Sequence, residues 1–421
     1  MNWWRESRYG RRLASRGAGL CAIAAALVPA MASAQTYGPV AAAGEYAPKG
    51  MPLGGFELYP SLDLGTGYDD NVFLTEKNTE SSFFFTEAPR FDLKSNWNRH
   101  ELDFYGQMNA FQYTSLGDED HIDGIFGGSG RLDVMRGLDL TGGASYSILH
   151  LANSSPLLAA VPTSPTQYSE SLANVAVNYH PYHFGVSLGI NFSRTDFNST
   201  QLGIAPFTIS NKDLNENLYN PFVKFSYEFR PGYSVFLRGD YNTQQFDQSV
   251  DRNGQRMDST GETANAGLEM KITHLVTGQL FVGYLNQNYE APLVSVSGPD
   301  YGVNVDWSPS VFWTFHLLGS RTLNATIVPN ASTEDDNQIR FGVDYAILRD
   351  VTIQAHASYW DATFPGASRD DQYPEGGLGV TYFMNNHVSV TASYDYLERQ
   401  SNVPGQNFTD NRVMLGVNLH M

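Results

Sequence analysis

Residues 387 to 397 read His387-Val388-Ser389-Val390-Thr391-Ala392-Ser393-Tyr394-Asp395-Tyr396-Leu397. Val388, Val390, Ala392, Tyr394 and Tyr396 alternate with Ser389, Thr391, Ser393 and Asp395. This period of two belongs to a strand with one apolar and one polar face. The same alternation recurs over 184 to 193, 351 to 359 and 138 to 146. A soluble β-sandwich alternates as well, so strand length and connections have to separate the two classes. The runs here reach about ten residues or more, the tilted span of a bilayer, whereas soluble strands average about five or six.

The connections alternate in length. Short turns are predicted near 96 to 99, 136 to 137, 180 to 181, 230 to 232, 273 to 274, 308 to 310, 349 to 350 and 385 to 386. Longer polar loops lie between them, around 70 to 80, 115 to 121, 152 to 167, 197 to 214, 246 to 258, 290 to 300, 327 to 337, 364 to 373 and 399 to 409. Eight turns interleaved with nine loops imply an all-β, transmembrane antiparallel barrel of about eighteen strands, with short periplasmic turns and long extracellular loops. Aromatics crowd the short turns, as an interfacial girdle requires: Tyr179, Tyr182 and Phe184; Phe229 and Tyr233; Trp307 and Trp313; Tyr382 and Phe383. The last strand, with Val413, Leu415, Val417, Leu419 and Met421, alternates to the final residue. Its ending is similar to the C-terminal assembly signal of outer-membrane barrels, with Met in place of the usual Phe.

Ahead of the strands stands a targeting segment. Arg5, Arg8, Arg11, Arg12 and Arg16 precede a short apolar core over 17 to 29 and an A-x-A site at Ala32-Ser33-Ala34. The domains are therefore a signal peptide over 1–34, a flexible periplasmic lead-in over 35–55 and a barrel over 56–421. The only cysteine, Cys21, falls in the leader, which excludes a disulfide framework and thiol chemistry in the mature chain. Loss of the leader changes the net charge from -18 to about -22, so nucleic acid is excluded as a partner.

The polar face of the strands lists the expected lumen. It carries Glu57, Asp63, Glu101, Asp103, Asp133, Asp139, Glu228, Asp240, Glu269, Asp306, Asp344 and Asp395 against Arg131, Lys224, Arg238, Lys271 and Arg340. An acidic-leaning lining favours cations or neutral polar solutes, and the same charges can also pair across neighbouring strands. Aromatics are expected there too, at Tyr59, Tyr105, Phe111, Tyr113, Phe281 and Trp360. The carboxylates at Asp69-Asp70 and Asp335-Asp336 suit hard cations in type, but they read as solvated loop entries with Asx turns, so no metal is assigned. The histidines are scattered without metal-ligand spacing, and His180 and His183 flank a proline at a turn. No nucleophile elbow, phosphate loop or dinucleotide fingerprint occurs, so no catalytic residue, cofactor or enzyme activity is assigned.

The stretch from Pro60 to Phe73 contains Tyr68-Asp69-Asp70-Asn71. It resembles the start of the β-barrel porin family often found with exopolysaccharide biosynthesis operons. That resemblance implies an outer-membrane channel of a Gram-negative bacterium taking part in exopolysaccharide export. The polymer and its export apparatus would then be partners, beside lipid, lipopolysaccharide and the barrel-assembly machinery. Like charges repel in a confined pore, so an acidic lumen suits a neutral polymer better than an anionic one. The alternatives are a general diffusion porin for small polar or cationic solutes and a structural or adhesive surface barrel.

Overall fold

The computed structural model describes residues 46, 48–158, 162–203, 207–272 and 275–421. The barrel strands, numbered in chain order, begin with β1 (Phe56–Asp69), β2 (Ser82–Ser95), β3 (Glu101–Tyr113), β4 (His121–Met135), β5 (Leu138–Leu151) and β6 (Thr166–Tyr179). They continue with β7 (Phe184–Phe197), β8 (Glu216–Arg230), β9 (Tyr233–Phe246), β10 (Ser259–Ile272), β11 (Val276–Tyr289) and β12 (Val296–Ser310). The last are β13 (Trp313–Asn324), β14 (Glu334–Ala346), β15 (Val351–Thr363), β16 (Asp370–Phe383), β17 (Val388–Ser401) and β18 (Phe408–His420). Each pairs antiparallel with its chain neighbours, and β1 pairs with β18, so the 18-strand sheet closes on itself. Closure leaves no open edge, the condition for a sheet to stand in lipid.

Strands of 12 to 15 residues follow from the unbroken alternation. Tight turns follow from the residues between strands. At the β4–β5 turn Gly137 takes φ 77°, and a Cβ there would lie 2.9 Å from Pro181 Cα and 3.0 Å from His180 O. A side chain is thus refused both by conformation and by the neighbouring turn. The turn expected at 308 to 310 sits two residues later. β12 runs through Ser310, and Val311 and Phe312 make the turn, because a register shift between Trp307 and Ser310 absorbs the proline. The turn at 273 to 274 lies outside the described residues, as do the signal peptide and most of the lead-in. Part of that lead-in is not loose chain: Met51–Leu53 forms a short strand paired with Leu58 to Phe56.

Pairing register sorts every strand into two faces. Phe225, Tyr227, Leu237, Val282, Phe341, Leu378, Val413 and Leu415 belong to one face, and all are exposed. This is the outward, apolar belt. At the short-turn end it is edged by rings: Phe184 lies 4.8 Å from Tyr227, and Trp313 stacks 4.1 Å from Tyr345. Phe383 is an exception to the expected girdle. It pairs with Ser389 on the inward face and stacks on Tyr46.

The loops at the opposite end do not all project away. The β5–β6 loop, the β7–β8 loop and the β13–β14 loop send Leu157, Leu214 and Ile327 into one buried cluster with Leu151 and Tyr168. A second cluster joins Leu74, Ala331, Phe364, Tyr373 and Phe408. Loops rooted on opposite walls therefore meet inside the mouth, because each carries apolar side chains that only the other loops can cover.

Candidate functional site

The inward face is the candidate site. Register places Glu101, Asp103, Asp139, Lys224, Glu228, Arg238, Asp240, Glu269, Lys271, Arg340, Asp344 and Asp395 on the face opposite the apolar belt. The alternation that sends Phe225 and Leu237 outward forces Lys224 and Arg238 inward. Most of these charges are tied along the wall. Lys224 Nζ and Lys271 Nζ reach Glu269 at 3.0 and 3.1 Å. Arg238 holds Asp240 at 2.6 Å while its guanidinium lies 4.3 Å above the Phe222 ring. Arg131 sits between Glu101 and Asp133 at 3.8 and 3.6 Å. Asp103 accepts from Ser95 N, Glu228 from Gly232 N, and Asp139 from Asn178 Nδ2.

Two histidines complete the wall, and sequence spacing does not reveal them. His316 bridges Asp306 and Asp344 at 2.7 and 3.3 Å, and His356 faces Glu375 and Asp395 at 3.3 and 3.8 Å. Each meets carboxylates that lie next to it only through strand pairing. The one available signal is an inward-parity histidine among inward-parity acids.

Tyr68, Asp69, Asp70 and Asn71 lie at the barrel seam, where β1 meets β18. Asp69 is fully buried and accepts from Arg412 Nη2 at 2.7 Å, and Asp70 takes both Asn411 N and Asn411 Nδ2 at 2.8 and 2.7 Å. Asn71 Nδ2 donates to Thr75 O and to Thr409 O at 2.9 and 2.8 Å. Tyr68 faces outward, 5.0 Å from the Phe83 ring. Asp69, Asp70 and Asp410 are close enough to share a cation. Arg412, between Asp69 and Asp410 at 2.7 and 3.3 Å, already supplies positive charge there.

Polar staples hold the mouth. Arg399, nearly fully buried on β17, donates from Nη1 to Ser154 O at 2.8 Å, catching the β5–β6 loop from a strand far around the wall. Asn153 Nδ2 donates to Glu119 Oε2 at 2.9 Å. Burial pushes the Glu119 carboxyl up to about 7, partly offset by that bond. Asp213 takes Arg252 Nε and Nη2, both at 2.7 Å. Burial alone would raise the Asp213 carboxyl, but the Arg252 hydrogen bonds outweigh it and hold the group below the usual carboxylate range.

Among the described residues no helix is long and apolar enough to cross a membrane; the crossings are made by strands. No curated protein matches the chain. Among solved structures it is similar to OpdK of Pseudomonas aeruginosa, crystallised with vanillate, at 13% identity over 86% of this chain and 99% of that one, TM-score 0.45. It is also similar to a BenF-like porin of Pseudomonas fluorescens, at 11% identity over 86% and 99%, TM-score 0.43. OccAB4 of Acinetobacter baumannii matches at 12% identity over 87% and 98%, TM-score 0.43. The family model described as "Putative beta-barrel porin 2" matches residues 43–421. With that match over a closed strand wall, a polar interior and an apolar belt, the chain belongs to this family of outer-membrane β-barrel porins.

Proposed function

We propose that this porin is a passive channel for small polar solutes, with a preference for cations. The observation that carries the reading is the inward folding of loops from opposite walls, which meet at Leu157, Leu214 and Ile327. Those loops pack across the mouth, and the inward wall beneath them carries more acidic than basic side chains. Acidic linings concentrate cations in a confined aqueous path. Purified protein in a planar bilayer should give steady conductance steps, with a reversal potential under a salt gradient displaced toward that of the cation. An inserted barrel that conducts nothing, or one that prefers anions, would overturn the reading.

Export of an exopolysaccharide is the second reading. It draws on the resemblance at Tyr68 to Asn71 and on inward rings such as Tyr59, Tyr105 and Trp360, which can stack on sugar faces. A threading polymer would have to displace the packed loops, so the geometry favours small solutes. Deletion of the gene should then leave secreted polysaccharide unchanged; its loss would replace the first reading with the second. For partners we infer lipopolysaccharide at the long-loop rim. There the outward face bears Arg194 with Asp196 and Asp247, and Arg321 with Asp335.

A further inference from the structure

The segment ahead of the barrel folds back into the short-turn end of the lumen, and three separate contacts hold it there. The first is a hairpin. Leu53 pairs with Phe56 and Met51 with Leu58, which leaves Gly54 and Gly55 as a two-residue loop. Gly54 takes φ 61°, as a type II′ turn requires of its first central residue. Trp97 of the β2–β3 turn backs the loop: a Cβ on Gly55 would lie 2.8 Å from its Nε1.

The hairpin fills a gap in the wall. β18 ends its ladder with His420 opposite Ser61, so on that side β1 runs past its partner from Phe56 to Pro60. An uncovered strand edge invites pairing, and residues 51 to 53 supply it. In register, Met51 and Leu53 share the outward face with Leu58 and Phe56, and both are exposed there. They anchor the segment at the belt.

Beyond Met51 the chain turns inward. Gly50 takes φ 71°, and a Cβ on it would lie 2.7 and 2.8 Å from two ring atoms of Tyr59, an inward side chain of β1. A glycine meets both demands, the left-handed turn and the close approach. Farther along, Tyr46 stacks on Phe383 of β16 with ring centroids 5.7 Å apart, and its backbone lies beside the His420 ring of β18. Tyr59, His420 and Phe383 all belong to the inward face, so the segment crosses the wall from β1 past β18 and β17 to β16. Ser389 of β17 stands between Phe383 and Asn418 in the inward row. It is 5% exposed, and His420 9%, although both lie at the end of the barrel. Phe383 departs from the girdle for the same reason: it receives Tyr46 instead of lipid.

We propose that Tyr46 and residues 48 to 53 form a strap that restricts the periplasmic mouth, so that passage is limited at this end as well as by the loops at the other. The proposal rests on the channel reading for what is restricted. The test is single-channel conductance, in planar bilayers, of the full chain and of two variants. Gly50→Val drives a side chain into the Tyr59 ring, and Tyr46→Ala removes the ring stacked on Phe383. Each should enlarge the conductance step by about a fifth or more, because the strap lines four of the 18 strands around an aqueous bore. Heat-modifiable gel mobility identifies the folded barrels, and either variant serves if the other does not fold. A second measurement does not depend on conduction. In a Cys21→Ser background in detergent, Ser389→Cys should react slowly with a bulky maleimide, and adding Tyr46→Ala should speed the reaction. Steps of native size in the folded variants would overturn the proposal while leaving the channel reading intact. If native chain and variants all fail to conduct, the channel reading is lost and labelling decides the strap: a rate that Tyr46→Ala leaves unchanged overturns it too.

Discussion

Asp69 and Arg412 are opposed across the β1–β18 seam, Asp69 fully buried and Arg412 largely so, and this pair does more for closure than its size suggests. Breaking one side of a buried pair strands the other charge, typically at about 3–5 kcal/mol. Arg412→Ala should therefore lower the temperature at which the folded, fast-migrating band on an SDS gel converts to the unfolded one. An unchanged transition would show that the backbone ladder alone holds the seam. Glu119 supports a pH prediction. Its folded carboxyl titrates near 7 instead of near the ordinary 4.5. Below about pH 4.5 the group is protonated whether folded or unfolded, and it carries no penalty. Between that value and about 7 the unfolded form ionises first, so docking of the Asn153 loop weakens as pH rises and stays weakened above. Protection from hydrogen exchange at 152 to 158, taken relative to the intrinsic exchange rate at each pH, should fall between about pH 4.5 and about 7 in the native chain, and Glu119→Gln should abolish that fall.

At the scale of the element, β2 and the β5–β6 loop each break a local rule. Glu87 points outward from β2 with Phe85 and Pro89 on its own strand and Leu64 and Ala110 across from it. Beside it the β2–β3 ladder skips from Glu87–Ala110 to Arg90–Gln107, because Pro89 has no N–H to give. A carboxylate on the lipid face is unfavourable, so Glu87→Leu should stabilise the barrel by about 1–2 kcal/mol in urea unfolding from vesicles. The loop breaks the rule that connections are polar: Pro156-Leu157-Leu158-Ala159-Ala160-Val161 is an apolar run between Ser154-Ser155 and Thr163-Ser164. Arg399→Ala frees Ser154 O from its latch, and the expected readout is larger or flickering single-channel conductance. Steps identical to those of the native protein would mean the apolar cluster suffices to hold the loop.

For the whole molecule, the acid-rich interior and the packed mouth act together. The preference for cations should fall as ionic strength rises, because screening shortens to about 3 Å at 1 M salt and shields lining charges from a passing ion. Reversal potentials at low and high salt measure this directly.

What the chain's residues determine unaided is the wall. Period-two alternation sets which side chain meets lipid and which meets the lumen, and the spacing of turns sets strand number, because both are local properties of the backbone. The inward parity of Glu101, Lys224 or Asp344 is legible for that reason. Only the tertiary structure decided who meets whom. Tyr46 and Phe383 are far apart in sequence, and His316 finds Asp306 and Asp344 through strand register. The loops between β5 and β6 and between β13 and β14 meet only once the sheet has closed. Barrel closure is what turns a list of polar positions into partners.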